Sequence, residues 1–152
     1  VDRAALDAAR ELGIEHGGFC PRGRLAEDGP IPAVYHMTEM TGGSYPARTA
    51  ANVKAADGVL VLIAAREDVL SGGTSLTMEL ARRYGIPTAV AILDPDVEVP
   101  KAVRRLVLGL GNFGTLMVAG PRESKRPGIY AAARAYLLKL FAKPPEVPRE
   151  TE

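Results

Sequence analysis

The sequence predicts an α/β chain, an open and doubly wound parallel sheet in three α/β/α layers. Three observations carry that expectation. Residues 59–63 read VLVLI, a run without polar alternation, which marks a strand covered on both faces. Residues 88–93 (TAVAIL) and 115–119 (TLMVA) repeat that character. The segments between these strands carry apolar residues at helical spacing, and buried strands alternating with amphipathic helices call for right-handed βαβ units.

The first helix is expected at once. Asp2 is its N-cap candidate, and Ala5, Leu6, Ala9 and Leu12 recur at helical spacing until Gly13 stops it. A helix that opens here leaves no room for a leading strand. Either the fold starts with a helix, or its first strand and turn lie upstream of Val1; the second is expected. Residues 15–32, EHGGFCPRGRLAEDGPIP, hold four glycines and three prolines, so they form neither helix nor central strand but a shaped, charged loop.

Residues 44–56 read as a short helix, with Ser44 as cap and Pro46 tolerated in its first turn. After strand 59–63, a short Arg66-Glu67-Asp68 insertion leads to Ser71-Gly72-Gly73-Thr74, which turns into a helix reaching Tyr84 and ended by Gly85 and Pro87. Val99, Val103, Leu106, Val107 and Leu110 give the next helix, with Pro100 near its start. Strand 115–119 feeds a second charged Gly/Pro loop, residues 120–128, and then a helix over 129–141. The expected organisation is one ligand-binding domain over 1–141 and a Pro-rich, charged, flexible tail over 142–152.

Composition narrows the function. Of the 152 residues, 47% are hydrophobic but only 5% aromatic, with no Trp, so the core must be Ala, Val, Leu and Ile. Few aromatics also leave little for stacking single-stranded bases. Lys and Arg number 19 against 18 Asp and Glu, a net charge of +1, which gives no field-scale attraction to nucleic acid or anionic membrane. Any basic site must be local. With Cys20 the single cysteine, no internal disulfide forms, and no stretch approaches the roughly 20 apolar residues of a membrane span. A cytoplasmic protein is expected.

In doubly wound folds ligands sit outside the carboxyl ends of the strands. The loops around residues 20, 72 and 122 read as strand-to-helix connections and should converge on one crevice. Arg22 and Arg24 offer forked donors suited to phosphate or carboxylate. Glu27 and Asp28 could offset them in salt bridges or accept from a heterocycle or ribose, with structural pairing expected for Asp28. At Gly72-Gly73 a ligand can approach the backbone, the helix N-terminus presents N–H groups to an anion, and Thr74 or Thr77 adds a hydroxyl. The alternative is an ordinary glycine turn with Thr74 as N-cap. Arg122, Lys125, Arg126 and Ser124 concentrate charge and a hydroxyl in the third loop, which is otherwise a solvated one. There is no GK[ST] loop and no GxGxxG fingerprint. His16, Cys20 and His36 fit no familiar ligand spacing, and Cys20, expected just after a strand, reads as packing, so no metal site is expected. Glu79 is the single carboxylate placed to face the crevice.

Five stretches in order, VDRAALDAARELG, GGFCPRGRLAEDGPIPAVY, RTAANVKAADGVLVL, SGGTSLT and VAGPRESKRPGIY, resemble the molybdenum carrier proteins, a branch of the SLOG group of Rossmann-like nucleotide-binding folds. The likeness spans residues 1 to about 135. It implies a Rossmann-like homo-oligomer, a tetramer, that binds molybdenum cofactor, a pterin phosphate, without transforming it. In the family a strand and a Gly-rich turn precede the Val-Asp-Arg that here is Val1-Asp2-Arg3, and Phe19 stands where Trp is frequent. The implied ligand contacts are Asp2 and Arg3; Arg24 and Glu27, with Arg22 spent on the loop itself; Gly72, Gly73, Thr74 and Thr77; and Arg122, Glu123, Ser124 and Lys125. SLOG relatives also include phosphoribohydrolases with a PGGxGTxxE motif. Here SGGTSLTME keeps Gly72, Gly73, Thr77 and Glu79 but lacks the third glycine, and its Thr-to-Glu spacing is one shorter, which turns the carboxylate by about 100° around the helix. Catalysis of that kind, with Glu79 as the catalytic residue, is thereby disfavoured. A nucleotide-binding sensor is the remaining alternative.

Overall fold

The computed structural model describes residues 1–70 and 72–142. Helix α1 (Asp2–Leu12) leads into an irregular segment that holds four two-residue strands. In it β1 (Phe19–Cys20) runs parallel to β4 (Thr38–Glu39), and β2 (Leu25–Ala26) forms a hairpin with β3 (Gly29–Pro30). Then follow α2 (Tyr45–Lys54), β5 (Gly58–Ile63), a 3-10 turn over Arg66–Leu70, and α3 (Gly72–Arg83). The chain continues through β6 (Thr88–Ile92), α4 (Lys101–Leu110), β7 (Leu116–Ala119) and α5 (Ile129–Phe141).

Strands β6, β5 and β7 make a parallel sheet in that order, with Val61 opposite Val90 on one side and Ala119 on the other. Every residue of the central strand β5 is buried. Because successive side chains point to opposite faces, this one strand feeds two cores. Leu60 and Leu62 pack with Ala4 and Ala8 of α1, Val103 of α4, and Ala133 and Leu137 of α5. Val59, Val61 and Ile63 pack with Val53 of α2 and with Leu80 and Ala81 of α3. Helices therefore cover both faces, giving the three-layer, Rossmann-like arrangement. Among the described residues no helix is long and apolar enough to cross a membrane.

Local expectations hold where a physical stop or cap is present. Ser44 caps α2 by accepting from the Ala47 N–H, Pro46 sits in its first turn, and Gly13 ends α1 with φ of 68°. Four points differ. Asp2 lies inside the first turn of α1, favourable against the helix dipole, while Val1 holds the cap position. Strand β6 is an edge strand whose middle is covered on both faces, Ala89 and Ala91 packing into one core and Val90 against the other, while Thr88 and Ile92 at its ends are exposed. The loop around residue 20 joins α1 to α2 through β1–β4 instead of linking a sheet strand to a helix. Cys20 consequently lies within β1, where the Asn52 side chain brackets the neighbouring Phe19: its Oδ1 accepts from the Phe19 N–H at 2.8 Å and its Nδ2 donates to the Phe19 carbonyl at 3.3 Å. Residues 143–152, where most of the flexible tail is expected, lie outside the described residues.

Candidate functional site

At the carboxyl end of the sheet the segments after β5 and β7 approach each other. Gly120 makes the approach possible, because a Cβ there would stand 2.2 Å from the Leu62 carbonyl oxygen. Between these segments and α2 lies a cleft of about 410 Å³ whose lining includes Tyr45, Asp68, Gly72, Gly73, Arg122 and Lys125. This is the position where doubly wound folds hold ligands.

The cleft is built around the start of α3. Gly72 takes φ of 60°, and a Cβ on it would meet the Lys125 ammonium at 3.1 Å. A Cβ on Gly73 would stand 2.0 Å from the Tyr45 hydroxyl. These two glycines thus let a cation and a phenol press against the helix N-terminus, where free N–H groups and partial positive charge gather. Thr74 also lines the cleft and is only 5% exposed. The Tyr45 ring carries the Arg48 and Arg122 guanidiniums at 5.2 and 5.7 Å. Lys125 has no ion-pair partner among the described residues, and Arg122 meets only Glu27, at 4.0 Å.

One carboxylate lines this cationic cleft. Asp68 Oδ2 accepts from the Ala64 and Ala65 N–H groups at 3.0 Å each, and Oδ1 accepts from Arg126 Nε at 2.8 Å. Desolvation alone would raise its carboxyl, but the Ala65 amide, Arg126 and the Ala64 amide outweigh it and hold Asp68 below the usual carboxylate range. The charge therefore persists at neutral pH. Arg126 is spent on this contact and on Glu67, 3.4 Å away.

The structure thus gathers Gly72, Gly73, Thr74, Arg122 and Lys125 at one cleft. Thr77 is buried one turn further along α3 and does not line it. Glu79 lies on the outer side of that helix, exposed and paired with Arg83 at 3.2 Å, so it does not face the crevice. The carboxylate that does is Asp68. Glu123 is turned to another use: it accepts from the Gly128 and Tyr130 N–H groups at 2.6 and 2.8 Å, closing the N-terminus of α5, and those amides lower its carboxyl. Thr74 is helical and does not act as an N-cap.

The 15–32 segment reaches the cleft indirectly. Glu27 and Asp28 form the tip of the β2–β3 hairpin. Glu27 accepts from the Ser124 hydroxyl and faces Arg122, while Asp28 pairs with Arg3 at 3.2 Å instead of with Arg22 or Arg24. Asp2 is exposed in the first turn of α1 and does not line the cleft. The two loop arginines exchange their expected parts. Arg24, at φ of 57°, donates to the Ile31, Pro32 and Tyr35 carbonyls at 2.9, 3.0 and 2.6 Å and staples the loop. Arg22 is left exposed. His16 and His36 stack with ring centroids 4.9 Å apart, and among the described residues no group of three or more His, Cys, Asp or Glu could hold a metal ion.

A second recess, about 370 Å³, lies between α1 and α5 and is lined by Asp7, Arg10, Glu11, Tyr130 and Arg134. Its groups other than Arg10, which lies over the Tyr35 ring at 5.4 Å, satisfy one another. Asp7 accepts from the Tyr35 hydroxyl at 2.5 Å and from the Tyr130 hydroxyl, and Glu11 pairs with Arg134. The bond to Asp7 and desolvation push the Tyr130 phenol up to about 12.

Tyr45 and Asp68 are the site residues that the sequence did not announce. Asp68 stands five residues past the end of β5, where the chain turns toward the crevice, and that spacing was its only signal. Comparison with known proteins agrees with the geometry. The model of the circularly permutated YpsA SLOG family matches residues 1–141. Among curated proteins no match was found. A crystal structure of the "putative molybdenum carrier protein" from Syntrophus aciditrophicus SB is similar at 36% identity, covering 93% of this chain and 88% of that one, with a TM-score of 0.77. With a Rossmann-like sheet and a glycine-lined cleft at its carboxyl edge, the chain belongs to the circularly permutated YpsA SLOG family.

Proposed function

We propose that the chain binds a phosphorylated small molecule in the cleft at the start of α3, and that the ligand is a pterin phosphate of the molybdenum cofactor type, carried without being transformed. The observation that carries this is the set of donors gathered there: Lys125 against Gly72, with no ion-pair partner among the described residues, and Arg122 on Tyr45, held only by Glu27 at 4.0 Å. An anionic ligand would supply Lys125 with a partner and Arg122 with a closer one than Glu27. A volume of about 410 Å³ suits a small organic anion, since ligand pockets span roughly 300–1,000 Å³. The donors fit the phosphate, so the chain grips the organic anion and the metal travels as cargo. The similarity to a protein bearing the molybdenum carrier name supports the same reading.

A carrier is favoured over a phosphoribohydrolase because Glu79 is paired with Arg83 on the outer side of α3. The test is gentle purification followed by mass spectrometry of the released small molecules. A pterin phosphate supports the carrier, whereas AMP or another nucleotide favours a nucleotide-binding sensor. Release of ribose 5-phosphate from AMP, abolished by Glu79→Gln, would overturn the non-catalytic reading. We also read the protein as a homo-oligomer of the tetrameric kind in the cytoplasm. Leu108 and Phe113, 79% and 98% exposed near the end of α4, support self-association. Light scattering on the purified chain measures it.

A further inference from the structure

Asp68 places a buried carboxylate in the wall of an anion-binding cleft. Its Coulomb term opposes any phosphate that Lys125 and Arg122 attract, and a buried charge persists only when paired. Pairing is supplied, since Asp68 accepts from two backbone amides and from Arg126 Nε. A carboxylate has about four acceptor positions, and these three bonds leave one. Asp68 lines the same cleft as Gly72 and Lys125, so a donor on a ligand can reach it while the phosphate sits at the start of α3.

We propose that Asp68 is the specificity-determining residue of the cleft, accepting a hydrogen bond from an amino or ring N–H of the ligand, so that the site selects amino-heterocycle phosphates over bare oxyanions. The chemistry is that of the 2-amino-4-oxo edge shared by guanine and pterins, whose N–H groups are natural partners for a carboxylate. Inorganic phosphate has no N–H edge: its only donors are the P–OH groups that its monoanion and dianion keep at neutral pH, and it has no heterocycle to carry a donor across the cleft to Asp68. The inference rests on the anion-cleft reading above. Asp68 is held by the two turn amides, which fixes the direction of the remaining acceptor position and gives the contact geometric selectivity, while Arg126 balances its charge.

The experiment measures binding of two probes, guanosine 5′-monophosphate and inorganic phosphate, by calorimetry. Asp68→Asn should weaken the nucleotide about 10-fold while leaving inorganic phosphate unchanged or tighter, because a repelling charge has gone. Asp68→Glu keeps the charge but displaces it by one methylene, and it should lower the same preference if Asp68→Asn does not fold. Arg126→Gln leaves the Asp68 carboxylate in place and should retain most of the preference. Parallel weakening of both probes in the Asp68 variants would overturn the proposal, as would equal loss of preference in Arg126→Gln, since either makes Asp68 a clamp alone. Failure of the unaltered protein to bind either probe would overturn the anion-cleft reading, and this inference with it. Phosphate binding without preference for the nucleotide would overturn the inference while leaving that reading intact.

Discussion

The recess between α1 and α5 and the cleft at the start of α3 have similar volumes, about 370 and 410 Å³, but opposite charge logic. In the recess every acid faces its own donor: Asp7 holds two phenols and Glu11 holds Arg134. In the cleft Lys125 has no ion-pair partner among the described residues, and Arg122 is held only at 4.0 Å. The two helix N-termini repeat the contrast. That of α5 is closed by Glu123, whereas α3 opens on two glycines and carries no acid in its first turn. A surface whose polar groups are mutually satisfied contributes stability and has little left for a ligand. One whose donors outnumber its acceptors gains by recruiting an anion.

The contrast is broken most directly by removing the cleft's cations. Arg122→Ala combined with Lys125→Ala should weaken phosphate binding by about 100-fold or more, at roughly 1.5–3 kcal/mol for each charge-assisted contact, with little change in melting temperature. Calorimetry with inorganic phosphate and a thermal scan check both halves. Next comes Gly73→Ala. Its methyl would collide with the Tyr45 hydroxyl and swing that ring, which seats Arg122 and Arg48, so a loss of about 10-fold in binding is expected. Because the displaced atom is the end of a side chain, the helix itself should persist in circular dichroism. The mirror experiment is Asp7→Ala in the satisfied recess. It strands the Tyr35 and Tyr130 hydroxyls and should cost about 1–3 kcal/mol of stability by denaturant unfolding, while phosphate affinity stays unchanged.

Those variants also mark what the sequence could disclose. The layered core was legible because VLVLI has one physical meaning: a strand with no polar side needs helices on both faces, and β5 has them. The glycines at 72 and 73 were legible only as a choice between close approach and an ordinary turn, and the Tyr45 hydroxyl and Lys125 ammonium pressed against them decide for close approach. Side-chain direction was not. Arg22 and Arg24 are chemically identical and two residues apart; only the turn that puts Arg24 at φ of 57° aims its guanidinium at three carbonyls. Glu79 and Asp68 could not be ranked for the same reason. The decisive facts are which side of α3 Glu79 occupies and which amides end β5, and neither is a local property of the residues concerned.

The smallest expected effect concerns pH and sharpens the comparison without touching the cleft. Tyr130 donates to Asp7, and that bond, with desolvation, raises its phenol from 10.0 to about 12. A group whose pKa is higher in the folded state stabilises the fold while it stays protonated in both states. The contribution is therefore complete below pH 10 and is lost as pH rises from 10 toward about 12. Denaturant midpoints measured between pH 9 and pH 12 should fall more steeply in the unaltered protein than in Tyr130→Phe, which has no phenolic proton to lose there. The Asp7→Ala variant should lose at least as much of the slope, because the same carboxylate also accepts from Tyr35 and raises that phenol. Equal slopes in all three proteins would mean that the recess is not self-satisfied through Asp7, and would remove one side of the contrast with the cleft.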